Sequence, residues 1–517
     1  MSTQSTEPAP DDSPAQCLLL RFQRISLFLA AITLLTLMNG CGGGGGGGGG
    51  TAPETPWNVS ASLVDGGVSV SWTGVNNATA YHVYYSRTPD SGTTGTRFTP
   101  THPELQPHTI VTGLENYKSY YFVVTASNKH GESAPSSEVS AIPSERITAE
   151  TLQNKFDPNL QECLTGHDMG FFTTIYELTC SEKNITNLSG MENYLLGLET
   201  LSITESESTP STLSDLPPLA SLPSLRSITL NHQDISDLSP LGALPHLQGL
   251  NISYNKVNSL QPITDLTTLT ALELRNNEIS SIPSLANMTS LMSVTLPHNQ
   301  MSDISGVVGL TAIIYLDLSY NNIADISALA GLSTLKGLDL PGNLIESEQL
   351  THLANLSQLE FLYLDKNRID DFSGLAAITS LKMLDLGDQD DDFKITAIPE
   401  NIGNLIHLEQ LGLRYNSISD LQNLSALSNS LRDLVLRGNA ISDISPLASL
   451  TNLVWLELES NQIDTGVGSL VELTNIQMIK LDNNPGMSCS ELETLIEFFG
   501  DRVSPSHVDP DTTCTSP

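Results

Sequence analysis

A period of 22 residues constrains this chain more than any other feature. The pattern Leu-x-x-Leu-x-Leu-x-x-Asn-x-Ile reads Leu247, Leu250, Ile252, Asn255 and Val257, then Leu269, Leu272, Leu274, Asn277 and Ile279. It continues through Asn299, Asn321 and Asn343. With Gln233 as first member, six successive turns keep the step of 22 residues. The period then loosens through Asn367, Gln389, Asn416, Asn439, Asn461 and Asn484, and degenerate turns at Leu178–Ile185 and Leu198–Ile203 precede it. About 14 turns at such a period specify a solenoid, in which each unit is covered only by its neighbours.

The chemistry of one turn follows from the pattern. Leu-x-Leu alternates with period two, so it forms a short strand with both leucines facing inward. Strands of successive turns stack as a parallel sheet. The Asn follows where the backbone bends, and its amide can bond main-chain groups that the bend leaves unpaired. A column of such residues is therefore structural.

The pattern resembles the leucine-rich-repeat family. The period and the segments Ser236–Leu241 (Ser-Asp-Leu-Ser-Pro-Leu) and Ser442–Leu447 (Ser-Asp-Ile-Ser-Pro-Leu) resemble its internalin-like bacterial subtype. The resemblance covers roughly residues 150–517. It implies a non-catalytic recognition scaffold with a parallel sheet on its concave face and short or 3-10 helices on its convex face.

The opening residues read as an export segment. Arg21 and Arg24 precede the apolar run Ile25–Met38, which is short for a membrane span and suits a signal-peptide core. The run ends at Met38-Asn39-Gly40-Cys41 and resembles a bacterial lipoprotein signal, which implies that Cys41 is lipidated. Gly42–Gly50 is a polyglycine tether. Gly42 after the Cys, by the same resemblance, favours the outer membrane. The expected location is thus the bacterial cell envelope, facing the periplasm or the cell exterior. The expected divisions are 1–40 signal, 41–52 lipidated Cys and tether, 53–142 first folded domain, 143–177 linker and N-terminal cap, 178–484 repeats, and 485–517 C-terminal cap.

Residues 53–142 read as all-β. Val68, Val70 and Trp72 alternate, as do Tyr81, Val83 and Tyr85, and Tyr120, Phe122, Val124 and Ala126, with turn-rich segments between them. Trp72, the pair Leu114 and Tyr120, and the run from Val124 to Ser133 resemble fibronectin type III, which implies a two-sheet sandwich. Its simplest role is a spacer that projects the repeats. The fold class expected for the whole chain is multidomain: an all-β fibronectin type III sandwich followed by a leucine-rich-repeat solenoid with helical caps. Leu152, Phe156 and Leu160 form a helical stripe interrupted by Pro158, and Leu492, Leu495, Ile496 and Phe499 form another; these should cover the two open ends.

Cysteine placement fits that division. Cys163 and Cys180 flank the start of the array, Cys489 and Cys514 its end, which points to a disulfide at each cap and an oxidising compartment. The chain carries 22 Lys and Arg against 58 Asp and Glu. Nucleic-acid partners are excluded on that balance, since phosphate contacts need clustered cations.

No catalytic constellation stands out: there is no His-Glu-x-x-His, no Gly-x-Ser-x-Gly and no phosphate-binding glycine loop. The expectation is therefore no enzyme and no cofactor. One weak Ca²⁺ candidate exists, Asp388, Asp390, Asp391 and Asp392, in an insertion that stretches one repeat to 27 residues. The informative positions lie beside the inward leucines, where phase puts side chains on the exposed sheet face. They carry Tyr254, Glu273, Tyr315, Asp317, Tyr320, Asp339, Phe361, Tyr363, Asp365, Asp385, Arg414, Tyr415, Arg437, Trp455 and Glu457. A surface mixing aromatics, carboxylates and arginines has the composition of a binding site. The expected partner is a protein or peptide held by a monomeric, membrane-anchored chain. A polysaccharide stacking on the aromatics, and a structural envelope spacer, are the alternatives.

Overall fold

The computed structural model describes residues 51–64, 67–99, 107–165, 170–206, 208 and 211–505. The signal-like segment, Cys41, the glycine tether and Cys514 lie outside them.

The first domain is a β-sandwich. Strands Trp57–Val64, Gly67–Thr73 and His108–Thr112 form one antiparallel sheet. Thr96–Phe98, Ala80–Ser86, Tyr120–Asn128 and Gly131–Glu132 form the other in that order, with Val139–Ala141 also paired to Tyr120–Asn128. The alternating residues meet between the sheets: Val68, Val70, Trp72, Val83, Val111, Tyr120, Phe122 and Val124 are all buried. The Tyr120 hydroxyl accepts from the Glu115 N–H at 3.1 Å and fixes the corner ahead of its own strand.

The repeats contribute 14 strands, from Glu177–Ser181 to Met478–Lys480, to one parallel sheet that Val503–Ser504 from the C-terminal cap closes as the fifteenth. Neighbouring strands pair in register, so that Leu316 lies between Val294 and Leu338 and all three point into the core. On the other side of most turns the chain winds into short 3-10 helices, among them Ser239–Leu241, Ser305–Val307, Ser327–Gly331 and Ser445–Ser449, while the first turn carries the α-helical Met191–Tyr194. A recurrent Asp two residues ahead of these helices' first N–H donors has a local purpose there. Asp237, Asp303, Asp325, Asp371 and Asp443 each accept from the N–H two residues on, at 2.8 Å, and so start the 3-10 turn.

The Asn column joins consecutive turns. Asn321 donates through Nδ2 to Leu296 O of the preceding turn (3.1 Å) and to Leu318 O of its own (3.0 Å), while its Oδ1 accepts from the Met301 N–H (3.0 Å). Asn255, Asn277, Asn299, Asn343, Asn367, Asn416, Asn439, Asn461 and Asn484 repeat the donation to the preceding turn. Gln389 reproduces it with a longer side chain. Gln233 does not. Its amide donates only to Asn231 O, and its buried Oε1 has no hydrogen-bond partner. The turn before it is enlarged, and Ser211 and Glu205 supply the inter-turn bonds there, to Ile185 O and from the Asn184 N–H.

Both ends are covered by helices. The N-terminal stripe is two helices, Ala149–Lys155 and Pro158–Leu164. Pro158 starts the second behind an Asp157 cap, which places its missing N–H where none is needed. Leu152, Phe156, Leu160 and Leu164 all enter the repeat core. A disulfide joins Cys163 in this cap to Cys180 in the first repeat strand, a closure worth roughly 3 kcal/mol. At the far end, Cys489–Phe499 buries Leu492, Leu495 and Phe499. Cys489 is disulfide-bonded; its expected partner Cys514 is outside the described residues.

The segment 143–147, polar in sequence, is bonded on both sides. The Tyr117 N–H donates to Pro143 O at 2.7 Å, and the Ile147 N–H to Gly170 O at 2.9 Å. Thr173 bonds Ser144 Oγ (3.2 Å) and Ile142 O (3.1 Å). Tyr194 sits at the centre of the junction, edge-on to Tyr117 at 5.0 Å, against Phe156 and Phe172, with the Lys155 ammonium 4.1 Å above its ring. The sandwich is thereby docked on the solenoid cap.

Candidate binding face

The sheet face opposite the 3-10 turns carries three side-chain columns beside the inward leucines, and a fourth at the strand exit. The strand-exit residues turn the backbone through the left-handed region, at His232, Tyr254, His298, Tyr320 and Tyr415 among others. That conformation lays each ring against the next turn. His232 stacks on Tyr254 with centroids 4.1 Å apart, and His298 on Tyr320 at 4.5 Å. Tyr320 then lies over Gly342 and Tyr415 over Gly438, where a Cβ would meet the rings at 2.6 and 2.4 Å. Tyr320 and Tyr415 stay exposed at 40% and 37%, and the Arg437 guanidinium stands 5.3 Å from the Tyr415 ring.

Two groups of the sequence-selected residues come together. The central one spans the strands Tyr315–Asp317, Gly337–Asp339, Phe361–Tyr363, Met383–Asp385 and Gln410–Gly412. The Tyr315 ring lies across Gly337, where a Cβ would meet it at 2.8 Å, and its hydroxyl donates to Asp339 Oδ2. Asp317 accepts from Ser319 N–H and Oγ at 2.9 and 2.6 Å. Tyr363 donates to Met383 Sδ at 2.8 Å. Arg414 reaches back over Gly387 to Asp385 (2.6 Å) and Asp365 (3.3 Å). Phe361 is half-buried beside them.

The second group is C-terminal. Trp455 Nε1 donates to Glu457 at 2.9 Å, and Lys480 pairs with Glu457 at 2.8 Å while its ammonium stands 5.1 Å from the Trp455 ring. Glu459 joins at the edge, 4.0 Å from Lys480. Tyr254 and Glu273 belong to neither group. Glu273 accepts from Asn251 at 2.6 Å, and burial raises its carboxyl above the usual range.

Of the fifteen side chains expected to be exposed on this face, only Tyr320 and Tyr415 are; ten are half-buried and three are buried. Asp365, Asp385 and Glu457 are only 8%, 7% and 7% accessible. Strands about 4.8 Å apart bring each side chain against its lateral neighbour, and glycines at 387 and 412 leave room for Arg414 and Asp385 to lie flat. Such packing depends on the size of residues one turn away, which a single repeat does not reveal. Lys480 and Glu459 escaped the sequence reading, although Lys480 occupies the same phase one turn after Glu457.

Crowding perturbs the central carboxyls. Burial, then the charges of Asp317 and Asp365, push Asp339 up to about 8. Burial and Asp385 raise Asp365 to about 7, and burial raises Asp317. The Ca²⁺ candidate has the opposite geometry, because its carboxylates point apart. Asp390 pairs with Arg368 at 3.1 Å, Asp391 with Lys394, and Asp388 takes the left-handed strand-exit position. Among the described residues no three His, Cys, Asp or Glu side chains gather as a metal site. Asp388, Asp390, Asp391 and Asp392 are a solvated loop around the Gln389 rung.

Comparison with known proteins agrees with this architecture. The leucine-rich-repeat family model matches residues 289–345, and the fibronectin type III model matches residues 52–142. A search of curated proteins returned no match. Among solved structures, an internalin from Listeria monocytogenes is similar at 28% identity and a TM-score of 0.57, over 64% of this chain and 98% of its own. A leucine-rich-repeat protein of Leptospira interrogans shares the fold at 22% identity and a TM-score of 0.55, over 72% of this chain and 98% of its own. The chain therefore carries a fibronectin type III domain at residues 52–142 and, beyond it, a solenoid that the leucine-rich-repeat model matches at residues 289–345 and that is similar in fold to an internalin.

Proposed function

We propose that this protein is a lipid-anchored, non-catalytic recognition protein of the bacterial cell envelope that holds a protein or peptide partner on its open sheet face. One observation carries the reading: five successive strands place Tyr315, Phe361, Tyr363 and four carboxylates with one guanidinium on a face that no other element of the described chain covers. Aromatic anchors among polar groups are the usual energetic centre of a protein interface. About 14 strands at roughly 4.8 Å give a face near 65 Å long, ample for a protein partner. Glycan binding is the weaker reading, because sugars stack on open ring faces, while Trp455 is covered by Lys480 and Tyr315 lies flat on Gly337.

The face is tested by replacing Tyr315, Phe361 and Tyr363 together with Ala. Partner binding is expected to weaken by about a hundredfold, the effect of losing a hot-spot cluster, with circular dichroism unchanged. Binding that survives the triple substitution, or that soluble glycans abolish, defeats the reading. The export segment and Cys41 support the anchor. In cell fractionation the wild-type chain is expected in the membrane fraction and Cys41→Ala in the soluble envelope fraction. Equal distribution of both removes the lipid anchor from the proposal.

A further inference from the structure

The chemistry of the central group narrows the partner, given the recognition role proposed above. Four carboxylates stand on successive turns: Asp317, Asp339, Asp365 and Asp385. The charge on them is compensated unevenly. Arg414 serves Asp385 and Asp365, and Ser319 serves Asp317. Asp339 has one neutral donor, the Tyr315 hydroxyl on Oδ2, and its enclosed Oδ1 has no hydrogen-bond partner. A buried acceptor left unmade costs about 1–3 kcal/mol, so an incoming donor gains there. Asp339 lies in register between Asp317 and Tyr363. The other charged or titratable groups acting on this cluster are Arg275 and His298 beside Asp317, Lys366 beside Asp365, and Asp388 beside Arg414. None of these cations acts on Asp339 itself.

We propose that the protein partner of this face inserts a lysine or arginine side chain at Asp339, between Asp317 and Tyr363. Charge complementarity selects this occupant. The ammonium or guanidinium supplies the donor that Oδ1 lacks, and it relieves the repulsion among the three neighbouring carboxylates. Its binding favours the ionised form of Asp339, whose proton goes to solvent. Affinity therefore rises with pH across the neutral range, where burial and Asp317 keep that carboxyl protonated in the free protein.

The test selects binders from a random-peptide display library on the full chain. Peptides whose binding is lost with the Tyr315, Phe361 and Tyr363 triple substitution are assigned to the face. Those peptides are expected to be rich in Lys and Arg. Their affinity for Asp339→Asn/Asp365→Asn is expected to fall about tenfold or more. It should hold for Glu472→Gln/Glu493→Gln, which likewise turns two carboxyls into amides, at exposed positions on the last repeat and on the C-terminal cap. Face-binding peptides without basic residues overturn the inference while leaving the recognition role intact. Equal losses in the two double variants overturn it too, by reducing it to the net charge of the chain. A library that yields no peptide assigned to the face counts against the recognition role itself.

Discussion

Replacing Asn321 with Ala is expected to cost the repeat domain about 3 kcal/mol and to weaken its cooperativity. The side chain is 7% accessible and makes every bond its amide allows within reach. Its donors go to Leu296 O, Leu318 O and Ser319 O, and its Oδ1 takes the Met301 N–H. Alanine fills none of this space and leaves those buried main-chain groups without partners or water. The loss falls between two turns, and a solenoid transmits stability only through such contacts. Urea unfolding should therefore show an earlier and broader transition, with the halves on either side of residue 321 coming apart. Gln233→Ala is the internal control. It is equally buried but bonds only within its own turn, so its cost should be roughly 1 kcal/mol. Equal midpoints for Asn321→Ala and wild type would show that the column is decoration on a leucine core.

This contrast marks where sequence and structure part. The inward leucines, the Asn column and the helical caps were legible because each is a local pattern repeated many times, and repetition fixes phase. The alternating core of the sandwich was legible from its period of two, and the Tyr120 corner from the resemblance of the Leu114 and Tyr120 pair to fibronectin type III. Gln233 looked like a rung because it kept the 22-residue step, but the enlarged turn before it removes the partner such a rung needs. The acidic insertion looked like a cation site because its carboxylates are adjacent in sequence. Its Gln389 must point inward to serve the column, which throws the aspartates on either side of it outward and apart. On the sheet face, phase assigned the column but not the depth. Whether Asp385 is exposed depends on Gly412 one strand away, and whether Arg414 can reach it depends on Gly387. The tight junction at 143–147 was invisible, because Ser144 and Thr173 are ordinary polar residues until the fold brings them together.

Asp339→Asn is expected to stabilise the protein, and increasingly so as pH rises. Burial and the neighbouring carboxylates hold the folded-state carboxyl at about 8, above the carboxylate value it has in the unfolded chain. Between those two values the folded state binds more protons than the unfolded state, so stability falls as pH increases through that window and levels off above it. The slope is about 1.4 kcal/mol per pH unit for each carboxyl that titrates this way. Asp365, raised to about 7, adds to it over a narrower range. His298, lowered by burial and by Arg275, acts with the opposite sign nearby. The difference between variant and wild type therefore isolates Asp339 better than either curve alone. Asparagine keeps the shape, accepts from Tyr315 and has no charge to confine. Melting temperatures should nearly coincide at about pH 4 and separate steadily up to about pH 8, with the variant higher. Parallel curves would mean that Asp339 is ionised and accommodated without cost. A stabilising substitution at the point where a basic partner is proposed to dock has a physical meaning: the carboxylate is a liability to the free fold, and it is favourable only when a cation is brought to it.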